Sequence, residues 1–144
     1  MNILLADDDK DDRFFFEKAL ASISIPTHYA SACDGEQLMT YLSQNQEHLP
    51  DVIFLDLNMP RKNGEECLTQ IKQDKKLASI PVVIYSTSLQ STVADTLYDA
   101  GAHYYLHKCS FAELKICLDV VLKQLTANPH QPDRHDFIIN CIEV

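Results

Sequence analysis

Apolar positions along the chain fall into two rhythms. Short β-prone runs, NILLA near the start, VIFL at 52–55, PVVIY at 81–85 and HYYL at 103–106, are almost wholly apolar. Between them lie longer segments whose apolar residues recur every three or four positions, the spacing that puts them on one face of a helix. The first strand is predicted at 2–6, a shorter second one at 27–31, and the others at the three later runs. Asp9 is placed to cap a helix through about Ser22, with Asp11 and Asp12 suited to the positive end of its dipole. Asp34, with Gln37 three residues on, resembles a capping box for a helix reaching about Gln46. Cys67, Leu68 and Ile71 mark a helix over 64–72, and the helix over 91–100 stops at Gly101. The last helix carries the clearest signal. Ser110 and Glu113 form an S-x-x-E box ahead of a stripe made by Leu114, Cys117, Leu118, Val121, Leu122 and Leu125. Five strands alternating with five helices predict an α/β fold, a doubly wound parallel sheet covered on both faces by its crossover helices.

That layout gives the polar residues at the strand ends a common address. In an open α/β sheet, ligands bind beyond the carboxyl ends of the strands, near the point where strand order reverses. The first strand runs into Asp7 and Asp8, the third into Asp56, the fourth into Ser86 and Thr87, and the fifth into Lys108, just after Tyr105. Three crowded carboxylates repel one another and push pKa values up unless a cation lies among them, and Lys108 supplies one charge only. A divalent metal balances the set. Oxygen ligands with no cysteine or histidine pair nearby favour Mg²⁺.

Four motifs, LLADDD, FLDLNMP, VVIYSTS and YYLHK, occur in that order at four successive strand ends. Together they resemble the receiver domain of bacterial two-component response regulators, the CheY-like family, over residues 1 to about 125. The resemblance implies the flavodoxin-like strand order 2-1-3-4-5, a receiver domain over 1–126 and a C-terminal tail over 127–144. It implies that Asp56 is the phosphoacceptor, taking a phosphoryl group from a phosphohistidine on a sensor histidine kinase or a phosphotransfer protein. Asp8 and Asp56 would hold Mg²⁺ directly, the Asn58 backbone carbonyl would be a third ligand, and Asp7 would act through water. Lys108 and the Ser86 hydroxyl would neutralise phosphoryl oxygens. Ser86 and Tyr105 would then switch, biasing a face built from the fourth and fifth helices and the fifth strand. Such a protein catalyses its own phosphorylation and dephosphorylation and is not otherwise an enzyme.

Two departures from the family pattern stand out. Many receivers have threonine where Ser86 stands, but serine keeps the hydroxyl. Many have proline after the lysine, and here Cys109 follows Lys108. Without proline a cis bond would cost about 2.5–4 kcal/mol, so a trans peptide is expected.

Other readings compete at the level of sequence. Asp7, Asp8 or Asp56 taken singly could be caps, Tyr105 ordinary core, and Lys108, Arg61 and Lys62 solvated charges. A phosphatase of the haloacid dehalogenase type also uses a strand-end aspartate with Mg²⁺, but it needs a second aspartate two residues on, where Asn58 stands. A receiver-like adaptor that is never phosphorylated is a further alternative, disfavoured by the intact acidic set. Of the six histidines only His130 and His135, in the tail, show ligand spacing, and a metal site there is disfavoured.

Composition narrows the setting. A chain of 144 residues, 46% hydrophobic, suits one domain with a real core, and a net charge of −9 disfavours direct nucleic-acid binding. No run approaches the roughly 20 apolar residues of a membrane span. A soluble, cytoplasmic protein is expected, acting through protein contacts with an unknown downstream protein. Five cysteines, Cys33, Cys67, Cys109, Cys117 and Cys141, with no C-x-x-C pair, predict reduced thiols, most of them small core residues. The tail divides. NPHQPDRHD reads as a disordered linker, whereas Phe137, Ile138, Ile139, Cys141, Ile142 and Val144 form an apolar segment expected to pack on its own domain or a neighbouring chain, as an added strand or in a homodimer.

Overall fold

Alternate residues of each strand face opposite sides of a sheet, so nearly continuous apolar runs require cover on both faces. The computed structural model, which describes residues 1–87 and 90–139, meets that requirement. Strand β1 (Asn2–Ala6) leads into helix α1 (Lys10–Ser22), β2 (His28–Ala32) into α2 (Gly35–Gln44), and β3 (Val52–Leu55) into α3 (Gly64–Gln73). Then come β4 (Val82–Ser86), α4 (Ser91–Asp99), β5 (Tyr104–His107) and α5 (Phe111–Ala127). Among the described residues the strands form one sheet in the order β2-β1-β3-β4-β5-β6, parallel throughout. The first five are the expected set in the expected order, and β6 (Ile138–Ile139) is an addition from the tail.

Two cores result. Leu4, Ala6, Ile53, Leu55, Val82 and Ile84 meet the buried faces of α2, α3 and α4. Ile3, Leu5, Val52, Phe54, Val83 and Leu106 meet α1 and α5 on the other side. All six stripe residues of α5, Leu114 to Leu125, are buried there. Four helices start on side-chain caps, Asp9, Asp34, Asn63 and Ser110. The reciprocal box is complete at Asn63 and Glu66, a pair the sequence reading passed over. At the expected box the Gln37 side chain accepts from the Cys33 amide, one residue before the cap. Helix α4 ends one residue early at Asp99, and Gly101 turns the chain with φ +106, a left-handed conformation that glycine adopts without strain.

Two expectations need correction. Residues 129–136 are ordered on the domain. The Gln131 side chain donates to the carbonyls of Tyr98 and Ala102 at 2.7 and 2.8 Å, the Tyr98 hydroxyl donates to the Pro132 carbonyl at 2.6 Å, and Arg134 pairs with Asp95. A short 3₁₀ turn, Arg134–Asp136, follows, and Phe137 is 0% exposed between Tyr98 and Tyr105. Docking satisfies the polar groups of a segment that composition alone marks as linker. The cysteines divide as well. Cys33, Cys67 and Cys109 carry free thiols, but Cys117 is disulfide-bonded. Motif spacing detects only pairs close in sequence, and cross-links depend on approach in space. The expectations for Cys141, Ile142 and Val144 lie outside the described residues.

Candidate functional site

The parallel register brings the carboxyl ends of the central strands together. The Asp56 amide donates to the Ala6 carbonyl at 2.9 Å, so the carboxylate at the end of β3 stands beside the acidic pair that ends β1. The Lys108 amide donates to the Ser86 carbonyl at 2.8 Å, extending the β4–β5 ladder and bringing the lysine to the same edge. Gly64 allows α3 to begin close against β3, since a Cβ there would lie 2.3 Å from the Asp56 carbonyl oxygen. Residues distant in sequence thus converge through ladder geometry alone.

Within the pocket Asp7 is 0% exposed, Asp56 is 5% exposed and Asp8 faces solvent. One carboxylate oxygen from each lies within 4.8 Å of the others. The Lys108 ammonium lies 2.8 Å from Asp7, 2.8 Å from Asp12 and 3.3 Å from Asp56. It also stands 5.3 Å from the Tyr85 ring centroid, on the face of the aromatic ring. Burial pushes the Asp56 carboxyl up to about 6; Lys108 pulls it down and Asp7 adds to the rise. Burial raises Asp7 too, against the Lys108 ammonium and the Asp9 amide, which donates to Asp7 Oδ1 at 3.0 Å. For Lys108 burial opposes the charge, but Asp12, Asp7 and Asp56 outweigh it and the pKa rises.

One ammonium among these acids leaves negative charge uncompensated, and the donors are all oxygen. The set fits a hard divalent cation, with Asp8 open to solvent for the waters such an ion keeps. Asn58 lies on the loop after Asp56, exposed, and its amide donates to Asp56 Oδ1 at 3.4 Å.

Ser86 is fully buried at the end of β4, while Thr87 is exposed. Tyr105 lies wholly inside, and burial raises its phenol, whose oxygen has no hydrogen-bond partner among the described residues. The expected site residues therefore share one edge, with Tyr105 one step behind it. The Lys108–Cys109 peptide is trans, as expected. Arg61 points elsewhere, 3.8 Å from Asp34 and 4.0 Å from Glu36, and Lys62 binds the Gln70 side chain. His135 groups with Asp133 and Asp136, all exposed, and not with His130.

Sequence reasoning missed Asp12. Its place in the first turn of α1 suggests only a partner for the helix dipole, yet its carboxylate turns to Lys108, 96 residues away. No local spacing signals it, since Lys108 comes from the end of β5.

A parallel sheet in this order, with an acidic pocket opposite a lysine at its carboxyl edge, defines a phosphoacceptor signalling domain. The chain belongs to the response regulator receiver domain family, whose profile matches residues 3–119. It is 36% identical over 110 residues to the response regulator Rcp1 of Synechocystis sp., covering 74% of this chain and 75% of that one. The crystal structure of the Mn²⁺-bound form of Rcp1 superposes with a TM-score of 0.77 at 30% identity, covering 91% of this chain and 98% of the other. The phosphorylated cyanobacterial phytochrome response regulator RcpA superposes with a TM-score of 0.77 at 32% identity, covering 89% and 94%. Receiver domains take their phosphoryl group from histidine kinases or phosphotransfer proteins. Among the described residues no helix is long and apolar enough to cross a membrane.

Proposed function

We propose that this protein is a response regulator in which Asp56 accepts a phosphoryl group from a phosphohistidine of a sensor kinase or phosphotransfer protein. The observation that carries the reading is the Lys108 ammonium, 3.3 Å from a nearly buried Asp56 that stands beside Asp7 and Asp8. An Asp56 carboxylate oxygen attacks phosphorus, the P–N bond breaks, and its electron pair leaves with the imidazole, yielding an acyl phosphate. Transfer of this kind depends on in-line positioning and on neutralising the equatorial oxygens. Lys108 supplies a fixed positive charge and the Ser86 hydroxyl a donor at the adjoining strand end. Asp8, Asp56 and the Asn58 backbone carbonyl would hold Mg²⁺, with Asp7 acting through water. When bound, the ion supplies further positive charge for the phosphoryl oxygens. The same groups serve in reverse when water attacks, so the protein catalyses both its phosphorylation and its dephosphorylation.

Signalling then runs through Ser86 and Tyr105. A phosphoryl group on Asp56 draws the Ser86 hydroxyl toward it and Tyr105 responds, shifting the population of a face made by α4, β5 and α5. The downstream partner is a protein that reads this face in the cytoplasm, or a second copy of the chain, with the docked tail part of what is read. An exposed aromatic patch of Phe14, Phe15 and Phe111 on α1 and α5 also favours protein partners.

Incubation with acetyl phosphate and Mg²⁺, followed by intact mass, tests the site. One labile phosphoryl adduct is expected, absent from Asp56→Asn. An undiminished adduct in that variant would overturn the assignment, and sustained turnover of small phosphate esters would point to a phosphatase.

A further inference from the structure

We propose that Asp12 is a positioning residue for phosphoryl transfer, holding the Lys108 ammonium in place at the mouth of the pocket. The inference rests on Asp56 being the phosphoacceptor and assigns a role to a residue outside the acidic triad.

Asp12 is not needed to start its own helix. Asp9 does that work, its carboxylate accepting from the Asp11 amide at 2.8 Å and the Asp12 amide at 3.1 Å. The Asp12 carboxylate is left free to turn inward, and its Oδ2 meets Lys108 Nζ at 2.8 Å. The contact is as short as that to Asp7 and shorter than that to Asp56 at 3.3 Å. The three acids approach the ammonium from three elements: Asp7 from the end of β1, Asp12 from α1 and Asp56 from the end of β3. The ammonium donates to Asp12 and Asp56 and pairs with Asp7 by charge, so without Asp12 it loses one of its two hydrogen-bond acceptors among the described residues.

Fixation matters because a lysine is a point charge on a flexible four-carbon stem. To assist transfer it must meet the phosphoryl oxygens as they arrive, and pre-ordering reduces the entropy lost at that step. Asp7 and Asp56 have other duties, since both would face the metal and Asp56 becomes the acyl phosphate. Asp12 has neither. Its side chain is 37% exposed, against 0% for Asp7 and 7% for Asp56, so it forms the solvent-side stop that keeps Lys108 from swinging out of the pocket.

The test is a double-mutant cycle on the full chain, following phosphorylation by acetyl phosphate with saturating Mg²⁺. Asp12→Asn keeps the size of the side chain and removes its charge. It should slow phosphorylation about three- to tenfold. Asp12→Glu should recover most of the rate. In a Lys108→Gln background, read at raised phosphodonor concentration, Asp12→Asn should have no further effect. Equal slowing in both backgrounds would overturn the proposal, because a merely structural Asp12 acts without Lys108. A wild-type rate for Asp12→Asn would overturn it too. Melting curves on each variant separate a folding defect, which Asp12→Glu and the Lys108→Gln cycle would expose as independent of the lysine. Loss of the adduct in Asp56→Asn, run alongside, shows that the underlying reading holds; persistence of the adduct there defeats that reading whatever Asp12 does.

Discussion

The acidic pocket and the flank of β5 both lie on the rim of one sheet, yet they treat buried polarity in opposite ways. In the pocket, Asp7 and Asp56 are held inside with only Lys108 and a few amides to offset them, and burial raises both carboxyls. On the flank, the polar groups of 131–137 find partners. Gln131 meets two carbonyls, Pro132 accepts from Tyr98, the Tyr105 amide donates to the Phe137 carbonyl at 2.9 Å, and the Phe137 ring fills an apolar gap. The pocket is kept for chemistry against stability; the flank contributes stability. Substitutions should therefore move folding in opposite directions at the two places.

The largest effect should come from the flank. Phe137→Ala empties a fully buried ring site and should destabilise by about 3 kcal/mol, read from the urea midpoint. No change would mean that the tail is not docked in solution. Next comes the metal. Mg²⁺ or Mn²⁺ at about a hundred times its Kd should stabilise the wild type by about 2.7 kcal/mol. In Asp8→Ala, binding should weaken and phosphorylation slow; equal Mg²⁺ affinity in mutant and wild type would count against Asp8 as a ligand.

Asp56→Asn should be more stable than the wild type at pH 7 without divalent ions, by on the order of 1–2 kcal/mol. The sign follows from a folded-state pKa of about 6 above an ordinary 3.8. The carboxyl's contribution is fully present below the lower value and is lost as pH rises through the higher one. The wild type should therefore weaken between roughly pH 4 and 6 relative to Asp56→Asn, and parallel pH–stability curves would contradict the burial argument. The smallest effect should be Tyr98→Phe, which removes the bond to Pro132 for about 1 kcal/mol and leaves phosphorylation unchanged.

The same contrast explains what could be read from the chain. The strand ends were legible because each acid or hydroxyl directly follows an apolar run, and the order of the runs places them at one edge. VIFL ahead of Asp56 is the plainest case, with all four residues buried. Asp12 was not legible, because its partner comes from another element at a range no local rule covers. The tail was half legible: apolarity at Phe137 and Ile138 marked it for burial, but the order of the preceding linker depends on the Tyr98 and Ala102 carbonyls, to which Gln131 donates. His103 is a further case. It begins as part of an expected strand and ends as a buried imidazole, pushed down to about 4 by burial and the nearby Lys72.

The tail strand also changes what the molecule offers to its own kind. An open sheet has two flanks of unpaired backbone, and either can template further growth. Here β6 lies along β5, pairing Tyr105 with Ile138 and Leu106 with Ile139, and among the described residues it is two residues long. The described part of that margin is too short to seed an incoming strand. Among the described residues the one five-residue margin is β2, where His28 and Ser31 are exposed. Among the described residues, pairing with a further copy along a strand of that length would use this one margin, and a single margin ends at pairs.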